Sequence, residues 1–483
     1  MDKRRKFLKK TALGLVTFST VEVPGLTPFK GRSKKEEVFF TTGFKVAEIT
    51  LDSVIIWTRL CSQEYPNPIV HERREKVFRH PIDFDEDQSV EQMDGAVKGG
   101  PGQVRIKIKA KGQEQESGWM EAVQSNDFIV SKDFQNLQPD TIYQVVLEGR
   151  TSKKGVSSLT YGSFKTAPKS DQNKDVLLVT STCQYFWSFD DKDRGFKSYD
   201  SMRRMEPDFF IQTGDYVYYD KPGPLAKDLA KARHKWHAMD SRPAIRDLYA
   251  KCPVFLMKDD HDLLKNDVYP GMDNYGDLSY KEGLDLWYKN APITSKPYRR
   301  IRWGKNLEIW LVEGREYRSA NTMEDGPGKS IWGEEQKNWF VKTVEESDAT
   351  FKILFTATPV VGPDRKNKSD NHANSTFETE GDWLRKYLSG LDGMFVVNGD
   401  RHWQYVSEDS ETGLLEFGSG PVSDYHAQGW TPGDVRPEHR FLRVKGGFLS
   451  IGVKSENDKH TIVFQHRDVN GDVVHEEIFE SEV

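Results

Sequence analysis

Four short clusters of polar residues, each just past a run of apolar ones, carry the chemistry open to this sequence. The run DVLLVTS from Asp175 leads into Thr182-Cys183, and DFFIQTG from Asp208 leads into Gly214-Asp215-Tyr216-Val217-Tyr218. PVFLMKD from Pro253 ends in Asp259-Asp260-His261-Asp262, with Asn266 close behind, and MFVVNGD from Met394 ends in Gly399-Asp400-Arg401-His402. A lone Gly-Asp is ordinarily a turn, and a lone His is ordinarily a core residue. Repeated delivery past buried strands is different, because ligands of open α/β sheets bind outside the carboxyl ends of the strands. Carboxylates and a carboxamide are hard donors suited to calcium, manganese or iron, and imidazole suits iron or zinc. A buried thiolate or phenolate favours ferric iron. Two such ions can bind a phosphate and lower the pKa of a bridging water, and one carboxylate must then hold both. Asp215 is the best candidate for that bridge.

The elements that must position these residues change character along the chain. From about Val38 to Pro168 the pattern is that of strands: Val46–Leu60, the strictly alternating Gln103–Ala110, Thr141–Gly149, and a closing hairpin over Gly155–Thr166. Strands without helical stretches between them predict a small β-sandwich of immunoglobulin or fibronectin-III type over 36–168. Residues 62–102 read as a long polar loop on that sandwich. Its acidic knot, Asp83 to Asp87, reads as solvated loop rather than a calcium site. The polar segment Lys165–Lys174 marks a domain boundary. Beyond it, over 172–483, buried runs alternate with helix-length amphipathic stretches, which describes a layered α/β domain. The last 40 or so residues return to strands, with a turn at Asn470-Gly471.

Length and composition set outer bounds. At 483 residues, with 12 Trp and 27 Phe, the chain suits two or three domains with real cores and excludes a disordered chain. A net charge of −6 gives no reason to expect nucleic-acid binding. Three scattered cysteines, Cys61, Cys183 and Cys252, are too few for a disulfide framework. Cys61 and Cys252 read as buried small hydrophobes, Trp57 as core, and His234 and His237 as surface residues of a helix. Residues 1–35 hold Lys3-Arg4-Arg5-Lys6-Phe7-Leu8-Lys9-Lys10 and then a short apolar run, Thr11–Val21. That order resembles a twin-arginine export signal, and the run is too short for the ~20 residues of a membrane span. The expectation is an exported protein, periplasmic or at the cell surface, with the twin-arginine machinery as a partner and no stable membrane span.

Gly-Asp-x-x-Tyr, then Asp-Asp-His-acid, then Gly-Asp-x-His resembles the metallophosphoesterase plan in its PhoD-like (alkaline phosphatase D) variant. Gly43-Phe44-Lys45, Ile56-Trp57-Thr58-Arg59-Leu60, Arg315-Glu316-Tyr317-Arg318, Trp332-Gly333-Glu334-Glu335-Gln336 and Arg401-His402-Trp403-Gln404-Tyr405 extend the likeness over nearly the whole chain after residue 36. The resemblance implies two sheets flanked by helices and a dinuclear centre of Fe³⁺ with Ca²⁺, or with Mn²⁺ or Zn²⁺. It implies Cys183 as a thiolate ligand of the first ion, Tyr218 as a phenolate ligand, and Asp215 as the bridge. Asp260 and Asn266 would hold the second ion, Asp400 and His402 would replace the usual paired histidines, and His261 would protonate the departing alkoxide. The implied reaction is hydrolysis of a phosphomonoester or phosphodiester by a metal-bound hydroxide.

Two departures stand out. The strand ending at Thr358-Pro359 lacks the superfamily's next histidine, and the nearest substitute is Asp370-Asn371-His372-Ala373-Asn374. The chain ends in strands rather than a shielding helix. Arg315 and Arg318 read either as a phosphate clamp or as surface ion pairs, and His372 and Asn374 as further substrate contacts. Rival readings are a phospholipase D-like or nucleotide phosphodiesterase on the same fold, an iron-thiolate oxidoreductase, and a catalytically silent surface-binding protein.

Overall fold

The computed structural model describes residues 37–75, 79–155, 157–294, 296–456 and 459–482. The twin-arginine segment lies outside them. In chain order the first strands are β1 (Phe44–Ala47), β2 (Val54–Arg59), β3 (Gly102–Ala110), β4 (Gln113–Ala122), β5 (Ile129–Phe134), β6 (Ile142–Arg150) and β7 (Ser158–Lys165). There follow β8 (Val176–Ser181), α1 (Lys197–Arg204), β9 (Phe209–Gln212), α2 (Leu229–Asp240), α3 (Pro243–Tyr249), β10 (Val254–Leu256) and α4 (Tyr280–Asn290). Next come β11 (Arg299–Trp303), β12 (Leu307–Leu311), α5 (Gly333–Glu345), β13 (Phe351–Thr356), α6 (Glu378–Ser389) and β14 (Met394–Asn398). The chain closes with β15 (Gln404–Glu408), β16 (Leu415–Gly418), β17 (His439–Arg443), β18 (Phe448–Glu456), β19 (Lys459–Arg467) and β20 (Val473–Glu482).

Strands β8, β9 and β10 are parallel, as are β12, β13, β14 and β16. Both sets have two buried faces, and their alternation sorts the side chains. Leu178, Phe209, Ile211 and Phe255 point between the sheets, where they share a core with Ile309, Ile353, Phe355 and Val397. Val179 and Phe210 point the other way, into a layer with Tyr199, Met202, Trp236 and Leu248 of α1, α2 and α3. Trp310, Leu354 and Val396 do the same on the far side, against Phe340 of α5 and Leu384 and Leu388 of α6. Strands read as continuous apolar runs because neither face meets water. The result is two sheets flanked by helices.

The amino-terminal strands do not form a separate body. The first sheet has nine strands in the order β20-β19-β18-β8-β9-β10-β1-β2-β5, so β1, β2 and β5 continue the main sheet. The join is a parallel pairing of Ala47 with Val254. The four-stranded sheet β4-β3-β6-β7 faces that end and shares its core. Two sheets thus meet as in a sandwich, but one of them belongs to the layered part, and Glu36–Val483 clusters as one compact unit. Alternation reveals a strand; it does not reveal which sheet edge the strand will extend.

Charged groups weld the seam. Lys45 is buried, donates to Asp240 at 2.7 Å and to Asn290 O at 2.9 Å, and lies 4.2 Å from the Trp57 ring. Arg299 of β11 grips Glu48 with two nitrogens, at 2.8 and 2.7 Å. His237, expected at the surface, is buried and meets Asp127 at 2.5 Å, and His234 is buried beside it. Trp57 is core, and all three cysteines are free and buried. The loop over 62–102 reaches the layered part through Glu86, which accepts from Gly223 N at 2.9 Å and Leu225 N at 2.6 Å. Among the described residues no helix is long and apolar enough to cross a membrane.

Removing Lys45 leaves Asp240 buried without its cation. Lys45→Met is expected to cost about 3–5 kcal/mol of stability, the usual penalty for stripping one partner from a buried ion pair. Chemical denaturation of the variant against the wild type measures it, and an unchanged midpoint would refute it.

Candidate metal centre

Three of the residues singled out by type sit in backbone conformations that side chains rarely adopt. Cys183, Asp215 and Asp400 have φ of +52°, +58° and +57°. Each lies directly past a parallel strand, where the chain turns sharply so that the side chain faces inward. Such conformations persist only where the surroundings over-determine them, and they cluster at functional sites. The glycines before the two aspartates answer a packing demand. A Cβ on Gly214, whose φ is +109°, would sit 2.7 Å from Asp259 Cβ, and one on Gly399 would sit 2.6 Å from Thr213 O and 2.8 Å from Ala357 O. The loops after β8, β9, β10, β13 and β14 therefore crowd together, and glycine lets them do so.

Asp215 lies at the centre. Its Oδ2 accepts from the Cys183 thiol at 3.4 Å and from the Tyr218 hydroxyl at 2.9 Å, while its Oδ1 is buried with no partner among the described residues. Donor atoms of Cys183, Asp215 and His402 lie within 4.8 Å of one another, as do those of Asp215, Asp260 and His261, and those of Asp215, Asp259 and Asp400. Burial pushes the Asp215 carboxyl well above the usual carboxylate range, opposed by His261 and reinforced by Asp260, Asp262 and Asp400. Burial likewise raises the Cys183 thiol and the Tyr218 phenol, with Asp215 adding to both. Donors whose ionised forms are disfavoured by burial and by one another fit a multivalent cation, which would favour them. The orphaned oxygens, Asp215 Oδ1 and Asp259 Oδ2, supply the independent sign of it.

The carboxylates on the other side are treated differently. Arg315 donates to Asp259 at 2.5 Å and to Asp370 at 3.1 Å, and lies 3.9 Å from Asp260. Lys368 meets Asp267 at 2.7 Å and Asp370 at 3.5 Å. Donor atoms of Asp260, Asp267 and Asp370 also cluster within 4.8 Å, but the protein's own cations already serve that group. Arg401, fully buried, pairs with Asp400 and Asp364.

His261 Nδ1 meets Asp220 Oδ1 at 2.6 Å, and its ring lies 4.4 Å from that of Tyr218. Burial opposes its positive charge, yet the carboxylates of Asp220, Asp260 and Asp215 hold its pKa at about 10. Asp262 braces the floor, accepting from Asp215 N at 2.8 Å, Val217 N at 2.9 Å and Asp259 N at 3.0 Å.

Seven residues chosen from the sequence thus converge: Cys183, Asp215, Tyr218, Asp260, His261, Asp400 and His402. Others are placed elsewhere. Asn266 is exposed, its backbone N–H meeting Asp220 at 3.1 Å, and Asp267 is the residue of that loop that joins a donor group. His372 turns to Glu380 at 3.0 Å, and Asn374 caps the turn Ser375–Phe377. Arg315 and Arg318 are buried rather than surface groups, Arg318 holding Asp370 O at 2.9 Å and Asn321 at 2.7 Å. Sequence reasoning missed His426, whose Nε2 lies 2.9 Å from the Tyr218 hydroxyl. It follows β16 and Gly418-Ser419-Gly420-Pro421, the same strand-then-turn signal, but with no Gly-Asp to mark it.

A family model described as PhoD-like phosphatase matches residues 177–440. The chain belongs to the PhoD-like phosphatase family. It is 21% identical over 360 residues to alkaline phosphatase D of Bacillus subtilis (strain 168), a match covering 65% of this chain and 55% of that relative's length. The solved structure of PhoD superposes with a TM-score of 0.67 at 16% identity, covering 94% of this chain and 91% of the other. A purple acid phosphatase from yellow lupin seeds superposes with a TM-score of 0.61 at 11% identity, covering 90% and 73%. Both likenesses concern the fold.

Asp262→Ala strips three buried backbone donors of their acceptor. At about 1–3 kcal/mol for each unsatisfied group, thermal unfolding is expected to fall markedly and metal content with it. Retention of both would remove Asp262 from its bracing role.

Proposed function

We propose that this chain is an exported, metal-dependent phosphatase that hydrolyses phosphomonoesters or phosphodiesters. The observation that carries the reading is the membership of Asp215 in three overlapping donor groups, which is what a bridging carboxylate requires. Family membership and the likeness to alkaline phosphatase D support the reaction class. Cys183, Asp215, Tyr218 and His402 would hold one ion, Fe³⁺ because anionic thiolate and phenolate donors favour a strongly Lewis-acidic ion. Asp215, Asp260 and Asp400 would hold a second, Ca²⁺, Mn²⁺ or Zn²⁺. Bound ions would supply Lewis acidity toward the phosphoryl group and lower the pKa of water.

The chain's own groups do the rest. Asp220 occupies His261 Nδ1 and keeps the imidazole protonated, leaving Nε2 to deliver a proton to the departing oxygen. His426 and Asp215 orient the Tyr218 oxygen from two sides, and burial excludes water from it. Arg315 holds Asp259 and Asp370 in place, so its role is to position carboxylates rather than to clamp substrate.

Asp215→Asn is expected to abolish turnover and lower the content of both metals, and a tenth of wild-type turnover with full metal would refute the bridge. His261→Ala should keep the metals and lose roughly 10²–10⁴ in rate, less for nitrophenyl esters than for alkyl esters. An equal loss across leaving groups would reduce His261 to an orienting role. Metal-replete protein should be violet or pink from phenolate-to-iron charge transfer, bleached by Tyr218→Phe, with Cys183→Ser weakening iron retention more. A colourless enzyme active with zinc or manganese alone would refute the ferric assignment and leave the phosphatase reading standing. For export, Arg4→Lys with Arg5→Lys should leave the protein inside the cell, and its appearance outside would refute the twin-arginine route.

A further inference from the structure

A cleft of about 460 Å³ opens between the loop near Tyr65–Ile69 and the junction of α2 and α3. None of its lining residues belongs to the donor groups around Asp215. Its walls are apolar, from Pro66, Pro68 and Phe186, but its charge is positive, from Arg242, Arg246 and Lys192. Exposed Asp193 is the one carboxylate on the lining.

Arg242 is the unusual member. It is 5% exposed, and among the described residues no carboxylate lies within ion-pairing distance of it. A guanidinium carries five N–H donors. Here two of them make long contacts, Nη2 to Phe186 O at 3.3 Å and Nη1 to Lys192 O at 3.4 Å, and Nε is buried with no partner. The group is packed 4.0 Å from the Phe186 ring and 4.9 Å from the Phe189 ring, so it is held in place without a direct ion pair, and Asp94 and Asp191 favour its charge only from beyond contact. One helical turn on, Arg246 donates to Thr41 O at 3.0 Å and likewise has no carboxylate partner among the described residues. Burying an arginine without a counter-ion is costly, and proteins ordinarily supply an acid beside it. Lys45 and Arg315 of this same chain both receive one.

We propose that this cleft is a second oxyanion site, separate from the metal centre, which takes a phosphate group on Arg242 and Arg246. Guanidinium N–H groups match the geometry of phosphate oxygens, and apolar walls strengthen the charge-assisted bonds. The phosphate can be a free ion or one group of a larger polyanion, since both present the same oxygens. The alternative is that Arg242 merely stitches the loop after β8 to the helical layer, in which case the cleft binds nothing.

Binding of inorganic phosphate to the full-length, metal-loaded protein, followed by equilibrium dialysis, tests it. Arg246→Gln, at a half-buried position, is expected to remove one bound phosphate or weaken it by about tenfold or more. Turnover of a small nitrophenyl monoester at low phosphate should stay at the wild-type value. Arg242→Gln should lose the same phosphate; if that variant does not fold, Arg246→Gln decides alone. Unchanged phosphate binding in Arg246→Gln would overturn the proposal, as would a loss of monoester turnover, which would make the cleft part of the reaction site. The source is read from an oligomeric phosphodiester. A KM raised in Arg246→Gln with kcat unchanged identifies a polyanion, and an unchanged KM with the phosphate site lost identifies the free ion. The site should also persist in Asp215→Asn, so its failure is distinguishable from failure of the phosphatase reading.

Discussion

The structure depends on holding several carboxylates, a thiol and a phenol against one another in a dry pocket. Like charges repel more strongly where water is excluded, so such a cluster cannot be a by-product of packing. Two devices hold it. On one side Arg315, Lys368 and Arg401 neutralise Asp259, Asp267, Asp370, Asp364 and Asp400. Around Asp215 there are instead oriented backbone amides beneath, supplied by the chain to Asp262, and above it the donor atoms of Cys183, Tyr218 and His402, with His261 as a cationic neighbour. The contrast between the two sides is the electrostatic outline of a cation site.

The strained backbone is part of the same constraint. Left-handed Cys183, Asp215 and Asp400 aim their side chains at one point because the strands before them are locked in two sheets that share a core. The amino-terminal strands contribute to that rigidity. Lys45 reaches from β1 to Asp240 at the end of α2, and Asp240 accepts in turn from the Tyr216 hydroxyl at 2.6 Å. Tyr216 is the neighbour of Asp215. A residue 170 positions upstream thus supports the turn that presents the central carboxylate, which gives the Gly43-Phe44-Lys45 motif a physical purpose.

Much of this was legible in the sequence because parallel strands buried on both faces leave an unmistakable record, and the residue after each is exposed to the ligand edge by geometry. Residue type and position past a strand located Cys183, Asp215, Tyr218, Asp260, His261, Asp400 and His402. The same logic misplaced Asn266, His372 and Asn374, since a loop's sequence does not state which of its side chains turns inward. In the first of these loops Asp267 faces the carboxylate group, and in the second Asp370 does, while His372 finds Glu380.

By itself, then, the sequence determined local matters: the strands, their burial, the turns forced by Gly214 and Gly399, and the donor chemistry at their ends. Periodicity and residue type act over a few residues, and a few residues suffice to read them. Tertiary structure decided everything that depends on long-range contact. It joined β1 to β10 and so merged the expected sandwich with the layered sheets, buried His237 against Asp127, and brought His426 to Tyr218. It also left Arg242 without an acid in a cleft whose walls come from distant segments. Pairing of charges across a hundred residues or more is fixed by how sheets and helices pack, and no local pattern encodes it.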